Sequence, residues 1–546
     1  MNSDINLKKY INKHKEEKRK MKKQQGKKNI IKTDLKQVKG ITLISLVITV
    51  IILLILATVT LNVVLGEGGL IDRAQQAKDL TEQAALEEQE SLNTLMDEYA
   101  NMMAEDSKIP EPPEEPYIDG IIVTPPEMSE GMVPVKWDDT QDNWIKTDET
   151  DEEWYNYEEK EWANVVLVGE DGKDADGDED VFNSDGTLNE DSNYSMLVWI
   201  PRFAYQITTQ YHSNGSTGGN INITFLSKDN KTKSGEDYNS KTTYPEATIG
   251  GSMSDYVVHP AFSYGGEELS GFWVGKFEAS NTNEYGDSKT NANTTNLIMQ
   301  TKAGVKSWRS ITISNIFKVC TELNSEGNPY GLSSNDAEID PHLMKNTEWG
   351  AVAYLSQSRY GKGEEVWINN SSSYITGSAG SSASADIDIG TTNDYKSTQG
   401  QQASTTGNIT GIYDMSGGAS EYVAAYLNNG SDRLTTYGLN LINAEDKYKN
   451  VYNVGSEDLG SKNYAVAIPN SGYYGDAIWE ISNSGGASTS AWYSDRSYFP
   501  TKDSPFFYRG GGIGWTTDSG IFAFSHNSYY GNARDSFGFR VVITIL

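Results

Sequence analysis

The side chains able to do chemistry in this 546-residue chain are few, and their spacing excludes more than it offers. Cys320 is the single cysteine, which rules out an internal disulfide, a cysteine-based zinc site and any mechanism that needs a cysteine pair. It falls on the apolar stripe of a helical pattern and reads as a core residue. Of the five histidines, His14 lies in a lysine-rich leader, and His212, His259, His342 and His526 show no metal-ligand spacing. The run EDGKDADGDED places Asp174, Asp176 and Asp178 as a calcium loop would, yet Glu179 stands where that loop needs glycine. A solvated acidic turn is the better reading. The last segment, YRGGGIGWTTDSGIFAFSHNSYYGNARDSFGFRVV, offers binding rather than catalysis. Rigid aromatics give contact area at low entropy cost, while Ser, Asn and Gly supply adaptable hydrogen bonds. Phe522 and Phe524 alternate as one buried strand face. Trp515, Asp518, His526, Asn527, Ser528, Tyr529, Tyr530 and Asn532 are left as a candidate ligand-binding face.

The elements that must position these residues are short. Ser314 is a good N-cap for a helix whose apolar positions are Ile316, Val319, Cys320 and Leu323. NTEWGAVAYLSQSRYG predicts a second helix from about Thr347 to Ser358. Around them, β-prone runs such as LVWIPRFAYQI, GFWVGKFEA and FGFRVVITIL are separated by polar loops. The pattern predicts an irregular α+β domain over residues 194–546. Before it, residues 135–193 carry Trp137, Trp144, Trp154 and Trp162 between acidic turns. That stretch reads as a small Trp-rich β module or as an extended decoration of the following domain.

Charge divides the chain sharply. The formal net charge is −31, but residues 1–40 hold 14 Lys/Arg against 4 Asp/Glu. The acidic remainder lacks the basic footprint that nucleic-acid binding requires. Residues 41–65, ITLISLVITVIILLILATVTLNVVL, contain no charge and are long enough for a transmembrane helix. The basic leader would stay cytoplasmic and the rest would lie outside the cell. This run is too long for a cleaved signal peptide, and no small-residue cleavage site follows it. Residues 66–104 read as a helical stalk whose stripe of Leu92, Leu95, Met96, Tyr99 and Met103 offers a face for self-association. Residues 105–134 form an acidic linker; seven of the fifteen prolines lie between Pro110 and Pro134, which makes it a semi-rigid spacer.

Lys39-Gly40 followed by Ile41-Thr42-Leu43-Ile44-Ser45 resembles the processing signal of type IV prepilins and pseudopilins. The resemblance implies cleavage between Gly40 and Ile41 by a prepilin peptidase. Ser45 stands where that family carries the glutamate that pairs with a neighbouring subunit, so packing into a conventional pilus is not implied.

Five stretches in order, GFWVGKFEAS, SNIFKVCTEL, NTEWGAVAYL, IYDMSGGASEYVAAY and FGFRVV, resemble the formylglycine-generating-enzyme-like domain, a variant of the C-type lectin fold. Its oxidases use a cysteine pair and its iron-dependent relatives clustered histidines, and this chain has neither. The resemblance implies no required cofactor, with a structural calcium at the altered D-x-S-G turn as an option. Its ligands would be the carboxylates of Asp414 and Glu421 and the backbone oxygens of Gly417 and Ala419. The alternative is a turn stapled by its own hydrogen bonds. Lectin-like domains ending in G-F-R also resemble variable ligand-binding proteins diversified just before that terminus.

Taken together, these readings describe a bacterial, membrane-anchored, prepilin-like surface protein. Its lectin-like head would engage an extracellular protein or glycan and would not be an enzyme. A minor pilin or pseudopilin is the alternative, and an enzyme on the formylglycine-generating fold the lesser one.

Overall fold

The run SMLVWIP has no polar alternation, and its surroundings explain why. All seven residues of Ser195–Pro201 are buried, so the strand they form is covered on both faces. The computed structural model describes residues 123–232, 246–335, 338–388, 392–454, 474–526 and 530–546. Contacts group residues 117–546 into one unit.

Two seven-stranded sheets organise that unit. The first contains Met132–Asp138 (β1), Asn143–Lys146 (β2), Asn164–Leu167 (β3), Ser195–Pro201 (β4), Gly271–Gly275 (β5), Ile339–Leu343 (β6) and, at the C-terminus, Val541–Ile545 (β11). Its order is β6-β11-β5-β4-β3-β1-β2, with antiparallel pairing throughout. Trp273 of β5 sits opposite Trp199 of β4, their rings 5.2 Å apart, and this pair fills the middle of the core. The second sheet is built on Ser420–Asn428 (β7), flanked by Asn450–Asn453 (β8) and Phe506–Arg509 (β9). Phe537–Phe539 (β10) lies parallel to the start of β7. The chain therefore leaves the second sheet at Phe539 and enters the first at Val541, with Arg540 at the crossing.

Among the described residues 27% lie in strands and 15% in helices. The expected α+β class is thus corrected to a predominantly β architecture with four α-helices. None of them is long and apolar enough to cross a membrane, and the described residues contain no helical stalk. The transmembrane helix, stalk, leader and Gly40–Ile41 processing site expected from sequence all lie outside the described residues.

The expected helices are present with adjusted ends. Ile313–Thr321 begins one residue before Ser314, and the Thr312 hydroxyl caps it by accepting from the Asn315 N–H. Ser314 instead ties this helix to Asp432–Asn443, which the sequence pattern does not announce. Its Oγ accepts from Asn440 N at 3.0 Å, and its carbonyl accepts from Asn440 Nδ2 at 2.9 Å. The other expected helix, Asn346–Gln357, is buried at every position. Gly350 is required there because a β-carbon would fall 1.7 Å from the carbonyl oxygen of Gly475. Cys320 is buried on its helix, and burial pushes its thiol up, as suits an inert core position.

The tryptophan-rich stretch is hydrogen-bonded into the first sheet. β3 pairs with β4 over four residues, and the Tyr157 hydroxyl donates to the Trp199 carbonyl at 2.7 Å. Cutting the chain at residue 191 would strip β1–β3 and expose the edge of an entirely buried strand. A fragment of residues 117–546 is expected to melt cooperatively, whereas one of residues 191–546 aggregates or loses its melting transition. Circular dichroism and gel filtration of the two fragments check this; equal melting temperatures would refute it.

Candidate functional site

The D-x-S-G turn and the G-F-R strand meet in the interior. Arg540 is fully buried and donates through Nε and Nη2 to the two carboxylate oxygens of Glu421, at 3.1 and 2.6 Å. Its remaining donors reach the carbonyls of Gly275 at 2.7 Å and Tyr413 at 2.9 Å. Such a two-pronged pair is the strong form of the arginine–carboxylate bond. Asp414 accepts from Asn369 Nδ2 at 2.8 Å and from Gly377 N at 2.9 Å. Glu278 completes the cluster by accepting from Ala419 N at 2.8 Å. Gly418, with φ +60°, is needed because a β-carbon would lie 2.4 Å from Glu278 Oε1.

These residues do not fit the expected calcium. The ion takes six to eight oxygens, yet the carboxylates of Asp414 and Glu421 are already engaged by protein N–H donors. Gly417 and Ala419 spend their amides on Gly510 and Glu278, which fixes the turn from within. Among the described residues no group of three or more His, Cys, Asp or Glu is placed to hold a metal. The acidic turn at Asp174 is stapled similarly: its buried carboxylate accepts from the amides of Gly177, Asp178, Glu179 and Asn193.

The other titratable groups of the interior are also spent on one another. Glu348 lies 2.9 Å from His342 Nε2 and 3.0 Å from Lys345 Nζ, and it accepts from the Lys345 N–H. Burial pushes this carboxyl up, but Lys345 and His342 outweigh it and hold it at about 2. Trp349, its neighbour in the Glu-Trp pair, donates to the Ile521 carbonyl at 2.7 Å. Glu480 accepts from the hydroxyls of Tyr205 and Tyr354 at 2.9 and 2.8 Å. His259 is buried among Phe203, Tyr205 and Phe262, and burial lowers its imidazole to about 3. Each of these groups is engaged by its neighbours inside the fold.

The candidate binding face is different because its polar and aromatic groups remain partly open. Trp515 is half-buried, and the Arg496 guanidinium lies 3.8 Å from its ring centroid. Asp518 holds that guanidinium from the side at 2.7 Å, with Arg496 and Asp518 side chains 21% and 18% exposed. Tyr498 lies 5.7 Å from the same guanidinium, and His526 meets Tyr498 edge-on. Ile387 is 44% exposed and neighbours Gly514. Trp515 and Asp518 are therefore brought together around Arg496, and His526 joins them through Tyr498. Tyr530 lies apart, under the Arg433 guanidinium at 4.3 Å. The Asn532 backbone accepts from the Tyr422 hydroxyl at 3.2 Å, which gives that residue a packing role. Asn527, Ser528 and Tyr529 lie outside the described residues. Sequence reasoning missed Arg496, Tyr498 and Ile387; the alternation of Arg496 and Tyr498 in SDRSYFP was the available signal.

Two outcomes follow for the buried cluster. Arg540→Ala leaves Glu421 without its partner and is expected to cost about 3–5 kcal/mol in urea unfolding. A loss under about 1 kcal/mol would refute the anchoring role. Burial raises Glu278 and Asp414, and pushes Glu421 up to about 7 against the pull of Arg540. Their folded values exceed their unfolded ones, near 4, so the folded state keeps protons that the unfolded chain releases. Their contribution is full below about pH 4 and is lost as pH rises through each folded value, which for Glu421 is about 7. The urea midpoint is expected to fall between about pH 5 and 8, with a shallower slope in Glu278→Gln. An unchanged slope would contradict the assignment.

No protein-family model matches the chain, and comparison with characterised proteins finds no relative. Among solved structures, Treponema denticola variable protein 1 matches at 12% identity with a TM-score of 0.23, over 65% of this chain and 97% of that one. A superposition that loose carries no statement about fold or ligand. Nothing in these comparisons supports the expected prepilin segment or the formylglycine-generating-enzyme-like domain.

Proposed function

We propose that this chain is a recognition protein that binds a protein or glycan partner through the face around Arg496, Trp515 and Asp518. The observation that carries the reading is the stacked guanidinium, 3.8 Å from the Trp515 ring centroid and 2.7 Å from Asp518. Tryptophan, tyrosine and arginine are the residue types that carry most of the energy in binding interfaces. Here neighbours fix both side chains before any partner arrives, so little rotamer freedom is left to lose on binding. Tyr508 backs Trp515 at 5.8 Å from within the second sheet, which gives the platform a rigid floor. Half-exposed Trp515 and exposed Ile387 supply the apolar centre, and Asp518 and Arg496 supply a polar border. The buried groups Glu348, Glu480 and Lys276 are engaged inside the fold, whereas this face keeps its polar groups partly open.

The test is a binding screen of residues 117–546 against cell-surface glycans and proteins, followed by variants. Trp515→Ala and Arg496→Ala are each expected to weaken the selected partner by at least about tenfold, or about 1.4 kcal/mol, without loss of the melting transition. Failure across the screen, or a partner indifferent to both variants, would overturn the reading.

A further inference from the structure

The four tryptophans of the N-terminal strands surround a feature that the binding face does not use. A cleft of about 300 Å³ lies between β1–β2, the turn at residues 153–162 and the loop at residues 401–410. Trp137, Trp144, Trp154 and Trp162 all contribute to its wall. Core filling explains two of them. Trp154 donates to the Asn164 carbonyl at 2.9 Å and Trp162 to the Tyr360 carbonyl at 2.8 Å, and both are buried. It accounts for the burial of Trp144 as well, but not for the state of that residue's indole N–H, nor for Trp137. Trp144 is completely buried, yet its indole N–H has no hydrogen-bond partner among the described residues. Leaving such a buried donor unmade is unfavourable. Trp137 stays half-exposed, propped edge-to-face on Trp144 at 5.6 Å, bonded through its N–H to Asp139 at 2.9 Å, and with Lys396, itself paired to Glu190, lying 5.7 Å from its ring centroid.

The polar groups around this platform narrow the ligand. Lys136 is neutralised by Asp151 and Glu153, each at 2.8 Å. Asp139 and Glu161 remain, so the cleft is locally acidic and repels anions. The side chains of Glu161 and Gln401 each retain an oxygen with no donor among the described residues; Gln401 donates only through Nε2, to the Lys396 carbonyl. Asn408 holds the far wall rigid, accepting from Thr406, Thr410 Oγ1 and Thr410 N while donating to the Lys160 carbonyl. A quaternary ammonium would need several exposed ring faces, but Trp144, Trp154 and Trp162 are at most 4% exposed. One flat aromatic platform beside open acceptors suits a ring with an apolar face and hydroxyl edges.

We propose that this cleft binds a neutral pyranose, stacked on Trp137 and donating its hydroxyls to Glu161 and Gln401. The site is separate from the Trp515 face and does not depend on the reading given to it.

The probes are the methyl glycosides of glucose, galactose and mannose, with N-acetylglucosamine, titrated into the full-length chain. Tryptophan emission and saturation-transfer NMR report binding. At least one sugar is expected to give a saturable signal that weakens about tenfold in Trp137→Ala and in Glu161→Ala while persisting in Trp515→Ala. Glu161 is exposed and its side chain makes no hydrogen bond or ion pair among the described residues, so its variant keeps the fold even if Trp137→Ala does not. No saturable binding up to the solubility of each sugar, binding indifferent to Glu161→Ala, or equal competition by tetramethylammonium would overturn the proposal.

Discussion

The buried pair between Arg540 and Glu421 is the constraint on which the rest of this structure hangs. Arg540 stands where the C-terminal chain crosses from the second sheet to the first. Glu421 belongs to the second sheet, and the Gly275 carbonyl that Arg540 also binds ends a strand of the first. One side chain thus fixes the relation between both sheets. Such a pair need not add net stability over an apolar replacement, because burying two charges costs nearly what their attraction returns. Its geometric demand is the larger consequence. Two parallel N–H bonds tolerate little displacement, so the D-M-S-G-G-A-S-E turn is drawn into one position around Glu278 and Asp414.

The interior and the surface treat charge in opposite ways. Inside, Glu348 is matched by Lys345 and His342, Glu480 by two tyrosines, and Lys276 by three oxygen acceptors at 2.8 Å. Each of these groups is immobilised by its partners. At the surface, Arg496 is held by Trp515 and Asp518 but not enclosed. Its guanidinium is kept in place and still partly accessible. The tryptophan cleft extends the same logic, with Trp137 held by Trp144 and Asp139 while part of its ring stays open.

Several elements were legible because local periodicity coincides with burial. Ile316, Val319, Cys320 and Leu323 form one buried stripe, and Phe522 and Phe524 are both buried. Asp432–Asn443 was not legible, since DRLTTYGLNLIN mixes weak helix formers with a central glycine. It is held by packing and by Ser314, two features that no local window contains.

Sequence alone determined what chemistry was unavailable. One cysteine excludes an internal disulfide and dithiol chemistry within the chain, and the aromatic and polar residues near the C-terminus have the composition of a recognition surface. It also singled out the D-x-S-G turn and the G-F-R strand, as two of five stretches carrying a resemblance. Only the tertiary structure decided what those two do. The oxygens that resembled calcium ligands are held by Arg540 and backbone amides, because the folded chain delivers those donors to the turn. It likewise joined the tryptophan-rich strands to the first sheet and placed Arg496 on Trp515. The physical reason is common to these cases. Residue type sets which bonds a side chain is able to make, but the partner comes from up to about 270 residues away, and only the fold brings the two together.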